Sequence, residues 1–310
     1  MNLKLRTLFI AVLLAMFATS AFAADTSTPV PAKKNDGIIR ILAIGNSFSE
    51  DAIEQYFYEL AEAAGQKIIV GNLYYPGCSL ERHANNVKNN IPDYKYRKIV
   101  DGVKTETPET TIATALADES WDYVSVQQAS HFSGKTATYE PYLSEVLDFV
   151  RKHVRTDTKI MFHMTWAYSK DSNHGAFPDY GKDQMRMYRE IVAATQAANK
   201  IEKFDIIIPS GTAIQNARTS KLGDTLNRDG YHLQLTYGRY TAACTWYEAI
   251  FGKSVVGNSY APSTMSELEK RIAQEAAHAA ILNPYTVTDL SQISQIYVPS
   301  LQWTGILAEY

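Results

Sequence analysis

Apolar positions along the chain follow two periods that keep exchanging. Ile38-Ile39-Arg40-Ile41-Leu42-Ala43-Ile44 is a nearly unbroken apolar run ending at Gly45, the pattern of a strand covered on both faces. Behind it Ile53, Tyr56, Phe57, Leu60 and Ala64 recur at three-and-four spacing, which predicts an amphipathic helix closed by Gly65. The same exchange predicts further strands over 67–75, 121–128, 158–166 and 204–209. Between and after them it predicts helices over 111–120, 139–154, 182–199, 212–218, 235–251 and 266–280. Residues 80–90 are polar, asparagine-rich and only weakly helical in pattern. Residues 94–107 read as a hairpin turning at Asp101-Gly102, expected outside the main sheet as a flap. Strands that alternate with helices predict a parallel sheet covered on both sides, in one α/β domain over residues 37–310.

The two ends of the alternation carry other signals. Lys4 and Arg6, the apolar stretch Leu8 to Phe17 and the small residues Ala21-Phe22-Ala23 form a signal-peptide pattern over residues 1–23. It predicts cleavage near Ala23 and export, most simply to a bacterial periplasm. The apolar stretch is too short for a comfortable bilayer span, and no second candidate follows. Residues 24–36 hold Thr, Pro, Lys and Ser without periodicity and read as a disordered leader.

Charge and cysteine usage narrow the possible partners. A net charge of -3 gives no reason to expect nucleic acid or an anionic membrane. Two cysteines, Cys78 and Cys244, make no disulfide framework, and two buried free thiols are the simpler expectation. Twenty tyrosines and four tryptophans suit sugar stacking, although core packing accounts for most of them. No Cys/His cluster has zinc spacing, no glycine-rich loop matches a phosphate cradle and no dinucleotide fingerprint follows the first strand, so no cofactor is expected.

Reactive residues of an open parallel sheet collect where its strands end. After the first strand comes Gly45-Asn46-Ser47, a tight turn beside backbone N–H groups that no helix bond consumes. Those N–H groups and the helix dipole favour developing negative charge, which suits an alkoxide-forming serine. Equally open is a cap: Ser47 would close the helix end, with Glu50 completing a capping box. Downstream, Asp229-x-x-His232 lets a carboxylate reach one imidazole nitrogen while the other faces a cleft. Asp229 as a helix cap with His232 as an incidental partner stands beside that reading.

Gly-Asn-Ser at the first strand end, Gly77 after the second and Asp-x-x-His before a late helix together resemble the SGNH (GDSL-type) hydrolase superfamily. Within it the chain looks closest to a divergent bacterial exported esterase-like family, with Gly-Asn-Ser-Phe-Ser in place of Gly-Asp-Ser-Leu-Ser. The resemblance implies a flavodoxin-like three-layer α/β/α sandwich around a central parallel sheet. It implies Ser47 as nucleophile, His232 as general base and Asp229 as the carboxylate orienting it. It further implies an oxyanion hole of the Ser47 and Gly77 N–H groups and one side chain of the third block. That block reads Gln127-Gln128-Ala129-Ser130-His131, and Gln128 is favoured as donor because an amide donates at every pH, with His131 the alternative. Asn46 and Trp166 are assigned to substrate contact, Trp166 as a stacking platform or else a core residue. His163 reads as a core histidine and His174 as a solvated loop residue.

The expected activity is an exported serine esterase acting on small acyl esters, acetyl esters of carbohydrate first. A short-chain lipase or thioesterase is the nearest rival. A metal-dependent hydrolase using Asp229, His232 and His131 or His163 as ligands, and a glycan-binding protein without catalysis, stay open on the sequence.

Overall fold

The computed structural model describes residues 30–293. The signal-peptide pattern, the start of the leader and the end of the chain beyond residue 293 lie outside the described residues. The run that opens the alternation forms β1 (Ile38–Gly45), whose last six residues are buried. It continues into α1 (Ser47–Ile53), α2 (Phe57–Ala63), β2 (Lys67–Tyr74) and α3 (Leu80–Asn89). Then come β3 (Tyr94–Val100), β4 (Val103–Thr110), α4 (Ile112–Asp118), β5 (Tyr123–Val126), α5 (Tyr142–His153) and β6 (Lys159–His163). The chain closes with α6 (Gln184–Glu202), β7 (Ile206–Ile208), α7 (Ser210–Thr219), α8 (Tyr237–Phe251) and α9 (Glu267–Leu282).

The strands form a single sheet in the order β4-β3-β2-β1-β5-β6-β7. The stretch β2-β1-β5-β6-β7 is parallel throughout and has the flavodoxin-like order, reversing direction beside β1. Successive residues of β1 face opposite layers, as a strand of period two requires. Ile41 and Ala43 pack with Phe48, Phe57, Ile214, Trp246 and Ile272 of α1, α2, α7, α8 and α9. Leu42 and Ile44 pack with Leu80, Leu116 and Leu147 of α3, α4 and α5. The result is the expected α/β/α sandwich, with a mixed rather than purely parallel sheet.

Two expectations are corrected by packing. The hairpin is no flap: β3 pairs antiparallel with β2 from Ile69↔Val100 to Tyr74↔Lys95 and extends the sheet. Tyr94, Tyr96 and Ile99 are buried there, and that apolar face is what docks it. Edge strand β4 is exposed at seven of its eight positions. Its Lys104, Glu106, Pro108 and Glu109 discourage another chain from pairing with it. The helix predicted to follow β1 is two helices, because Tyr56 adopts a φ of 70° between α1 and α2. Cys78 and Cys244 are free and buried. Among the described residues no helix is long and apolar enough to cross a membrane.

Candidate active site

The turn after β1 removes the capping reading of Ser47. Gly45 allows it, since a Cβ there would lie 2.8 Å from the Cβ of Ser49. Asn46, not Ser47, caps α1: its Oδ1 accepts from Phe48 N at 2.9 Å, and its own N–H donates to Ser49 Oγ at 3.1 Å. The Ser47 hydroxyl is thereby left for a partner from outside the helix. That partner is His232, whose Nε2 lies 2.9 Å from Ser47 Oγ.

The histidine sits in a closed loop. Asn227 and Leu233 form an isolated antiparallel bridge, and Arg228 N donates to His232 O at 2.9 Å. Gly230, at φ 92°, lets the chain turn tightly against Ser172. Asp229 Oδ1 accepts from His232 N at 2.7 Å and Tyr231 N at 3.2 Å, while Oδ2 lies 2.6 Å from His232 Nδ1. Partial burial opposes ionisation of Asp229, but the hydrogen bonds from the imidazole and the two N–H groups outweigh it and lower its pKa. An ionised carboxylate only accepts, so Nδ1 carries the proton and the Nε2 lone pair faces the Ser47 hydroxyl. Ser47, His232 and Asp229, 185 residues apart at the extremes by numbering, thus form one hydrogen-bonded chain.

The N–H groups of Ser47 and Gly77 have no protein acceptor among the described residues. Gly77, at φ 62°, turns the chain just past β2, next to the end of β1, where Gly45 pairs with Tyr74. Asn46 Nδ2 ties the two turns together by donating to Cys78 O at 3.0 Å.

The third block departs from expectation. Gln128 is buried, with Oε1 accepting from Leu80 N at 3.0 Å and Ala129 N at 2.8 Å, and Nε2 donating to Thr138 O at 3.1 Å. Its amide is spent on the start of α3 and on the loop before α5, which removes it as an oxyanion donor in this arrangement. A Gln128→Ala variant is expected to lose about 1–3 kcal/mol of stability in urea denaturation, because it strands buried partners.

The neighbouring Gln127 faces the other way, into a buried chain that the sequence did not reveal. Gln127 Nε2 donates to Asn46 Oδ1 at 2.8 Å, His163 Nδ1 donates to Gln127 Oε1 at 2.8 Å, and Ser210 Oγ lies 2.9 Å from His163 Nε2. Asn46 is therefore a buried strut of the turn after β1, with its amide spent on protein partners and not free for a substrate contact. Trp166 is corrected likewise. It is fully buried, stacks on Phe48 with centroids 4.4 Å apart and donates to Tyr231 O at 2.8 Å. It forms the floor under the site.

Partly exposed rings line one side. His232 meets Tyr231 at 4.2 Å, Tyr231 meets His174 at 4.8 Å, and His131 lies 6.4 Å beyond, against Phe132. His131 Nδ1 and Nε2 make no hydrogen bond among the described residues, and burial together with neighbouring His174 lowers its pKa. His174 Nδ1 accepts from Ala176 N at 3.1 Å. Among the described residues no three His, Cys, Asp or Glu side chains group as a metal site.

Burial holds His163 at a pKa of about 3, and His83, bonded to the Tyr94 hydroxyl, at about 3 as well, both down from 6.5. Both stay neutral in the folded state while the unfolded chain takes up protons below pH 6.5, so stability falls as pH falls through that window. Between pH 7 and pH 5 each is expected to cost about 2 kcal/mol. Urea unfolding at the two pH values checks this, and His163→Gln is expected to remove one share of the difference.

The family model described as "Domain of unknown function (DUF4886)" matches residues 40–280. The crystal structure of a DUF4886 family protein from Bacteroides uniformis is 53% identical, with a TM-score of 0.82, covering 83% of this chain and 100% of that one. A structure whose description proposes an SGNH hydrolase, from Slackia heliotrinireducens, is 20% identical over 69% of this chain and 99% of that one, with a TM-score of 0.48. A catalytic mutant of an acetylxylan esterase from Geobacillus stearothermophilus is 11% identical over 73% of this chain and 97% of that one, with a TM-score of 0.46. Neither of the last two bears on the chemistry of this chain, which rests on the residues above. No curated relative matches.

Proposed function

The chain belongs to the DUF4886 family, and we propose that it is a serine hydrolase of small acyl esters, of the SGNH type. One observation carries this reading: the uninterrupted contact from Ser47 Oγ through both imidazole nitrogens of His232 to an ionised Asp229. In the proposed reaction His232 Nε2 takes the hydroxyl proton as Ser47 Oγ bonds to the ester carbonyl carbon. The Ser47 and Gly77 N–H groups receive the carbonyl oxygen as it gains charge. His232 then returns the proton to the departing alkoxide, leaving an acyl-enzyme and a free alcohol. Water, deprotonated by the same nitrogen, attacks the acyl carbon and releases the acid and Ser47. Proton and electron pair return to their starting places, so the residues are unchanged after each turnover.

The finer reading is an exported enzyme that removes acetyl groups from carbohydrate. Its support is the signal-peptide pattern at residues 1–23 and the wall of Tyr231, His174 and His131 beside the base, since flat rings with polar edges suit a sugar face. Hydrolysis of p-nitrophenyl acetate by the mature protein, with a chelator present throughout, tests the coarser reading. Turnover that persists in chelator is expected, and turnover that chelation abolishes would refute it. Release of acetate from acetylated xylo- or chito-oligosaccharides tests the finer one.

A further inference from the structure

We infer that Asp51 is a positioning residue that fixes the base against the nucleophile. This inference rests on Ser47 acting as nucleophile and His232 as base. Asp51 is fully buried and lies four residues after Ser47 in α1, on the same side of the helix. Its carboxylate receives both ends of the loop that carries the catalytic pair. Leu233 N donates to Oδ2 at 2.7 Å, and Arg228 Nη1 reaches both oxygens at 3.1 Å. Residues 228 and 233 bracket Asp229 and His232 on the two sides. Arg228 Nη1 also donates to Leu233 O, closing the loop on itself at the carboxylate. From α8, Arg239 Nη2 completes the cluster at 2.6 Å from Oδ1, with its Nη1 on Gln55 Oε1 at 2.7 Å.

Among the described residues, Asp51 makes every hydrogen bond between residues 227–233 and α1 except the one between His232 and Ser47 themselves. The loop's other outside anchors lead away from α1: Trp166 Nε1 holds Tyr231 O, Ser169 N holds Gly230 O, and Arg218 Nη2 holds Asn227 Oδ1 at 2.6 Å. A buried carboxylate facing two guanidinium groups and one N–H is directional, whereas apolar contact fixes distance only loosely. Proton transfer over 2.9 Å between Ser47 and His232 needs that direction, because a shift of about 1 Å costs on the order of a hundredfold in rate. In sequence Asp51 looks like an ordinary acid on the first helix, and nothing local distinguishes it.

The test measures p-nitrophenyl acetate turnover in Asp51→Asn and, at the more exposed rim of the cluster, Arg228→Gln. Asp51→Asn is expected to lower kcat about tenfold or more, with KM changed less than about threefold. Arg228→Gln is expected to lower kcat about threefold or more in the same way, and it decides the matter if Asp51→Asn fails to fold. In a His232→Ala background neither substitution is expected to lower the residual rate further, because no base is left to position. A folded Asp51→Asn with kcat within about twofold of the parent would overturn the inference. So would the same proportional loss with and without His232. Failure of the underlying reading looks different: Ser47→Ala would then be as active as the parent, whatever Asp51 does.

Discussion

Ser47→Ala is expected to hydrolyse p-nitrophenyl acetate about ten-thousandfold more slowly than the parent, with its fold intact. The size follows from chemistry: without Oγ no acyl-enzyme forms, and His232 Nε2 has only water to deprotonate. The remaining rate would come from the Ser47 and Gly77 N–H groups and from binding alone. The intact fold follows from the turn. Asn46 and Ser49 make the capping box of α1, so the substitution removes no cap and exposes no buried partner. Thermal melting followed by circular dichroism separates the two effects, and a large fall in melting temperature would mean that Ser47 holds structure as well. Equal rates in parent and variant would remove Ser47 from the mechanism.

Asp229→Asn is the second large effect, expected at about a hundredfold to ten-thousandfold in kcat. Asp229 Oδ1 holds the backbone N–H groups of Tyr231 and His232, which only an oxygen can do. An asparagine keeps its oxygen there and so points its NH2 at His232 Nδ1. Nδ1 must then accept, the proton moves to Nε2, and the nitrogen facing Ser47 can no longer take a proton. The geometry survives while the tautomer is wrong. A kcat within about tenfold of the parent would mean that the carboxylate is only a turn cap. Because hydrogen bonds hold the Asp229 pKa below its ordinary value, loss of this carboxylate by protonation is expected only in strong acid. Activity that falls at mildly acid pH therefore belongs to another group.

Much of the fold is legible in the chain because each parallel strand is buried on both faces and so reads as an apolar run. The hairpin is not legible in that way. In β3 only Tyr94, Tyr96 and Ile99 are buried among charged neighbours, and nothing local says that β2 is the strand it joins. The break between α1 and α2 is hidden because it falls on Tyr56 at positive φ, where neither Gly nor Pro announces it.

The site divides in the same way. Gly45-Asn46-Ser47 and Asp229-x-x-His232 are short local patterns, each positioned by its own backbone, so sequence spacing carries them. The third block fails because Gln127 and Gln128 are adjacent and chemically identical, and only the tertiary structure decides which way each amide turns. Gln128 goes to Leu80 and Thr138, while Gln127 goes to Asn46 and His163. Trp166 ends a strand in sequence but lies beneath Phe48 in space. Asp51 depends on partners 177 or more positions away, which no local pattern encodes.

Covalent capture tests the nucleophile most directly. The mature protein would be treated with a fluorophosphonate, digested, and its peptides weighed. A single phosphonyl adduct on Ser47 is the predicted result, forming at least about a hundredfold more slowly in Asp229→Asn. An adduct on another residue, or none while the same sample still hydrolyses p-nitrophenyl acetate, would contradict a Ser47 acyl-enzyme.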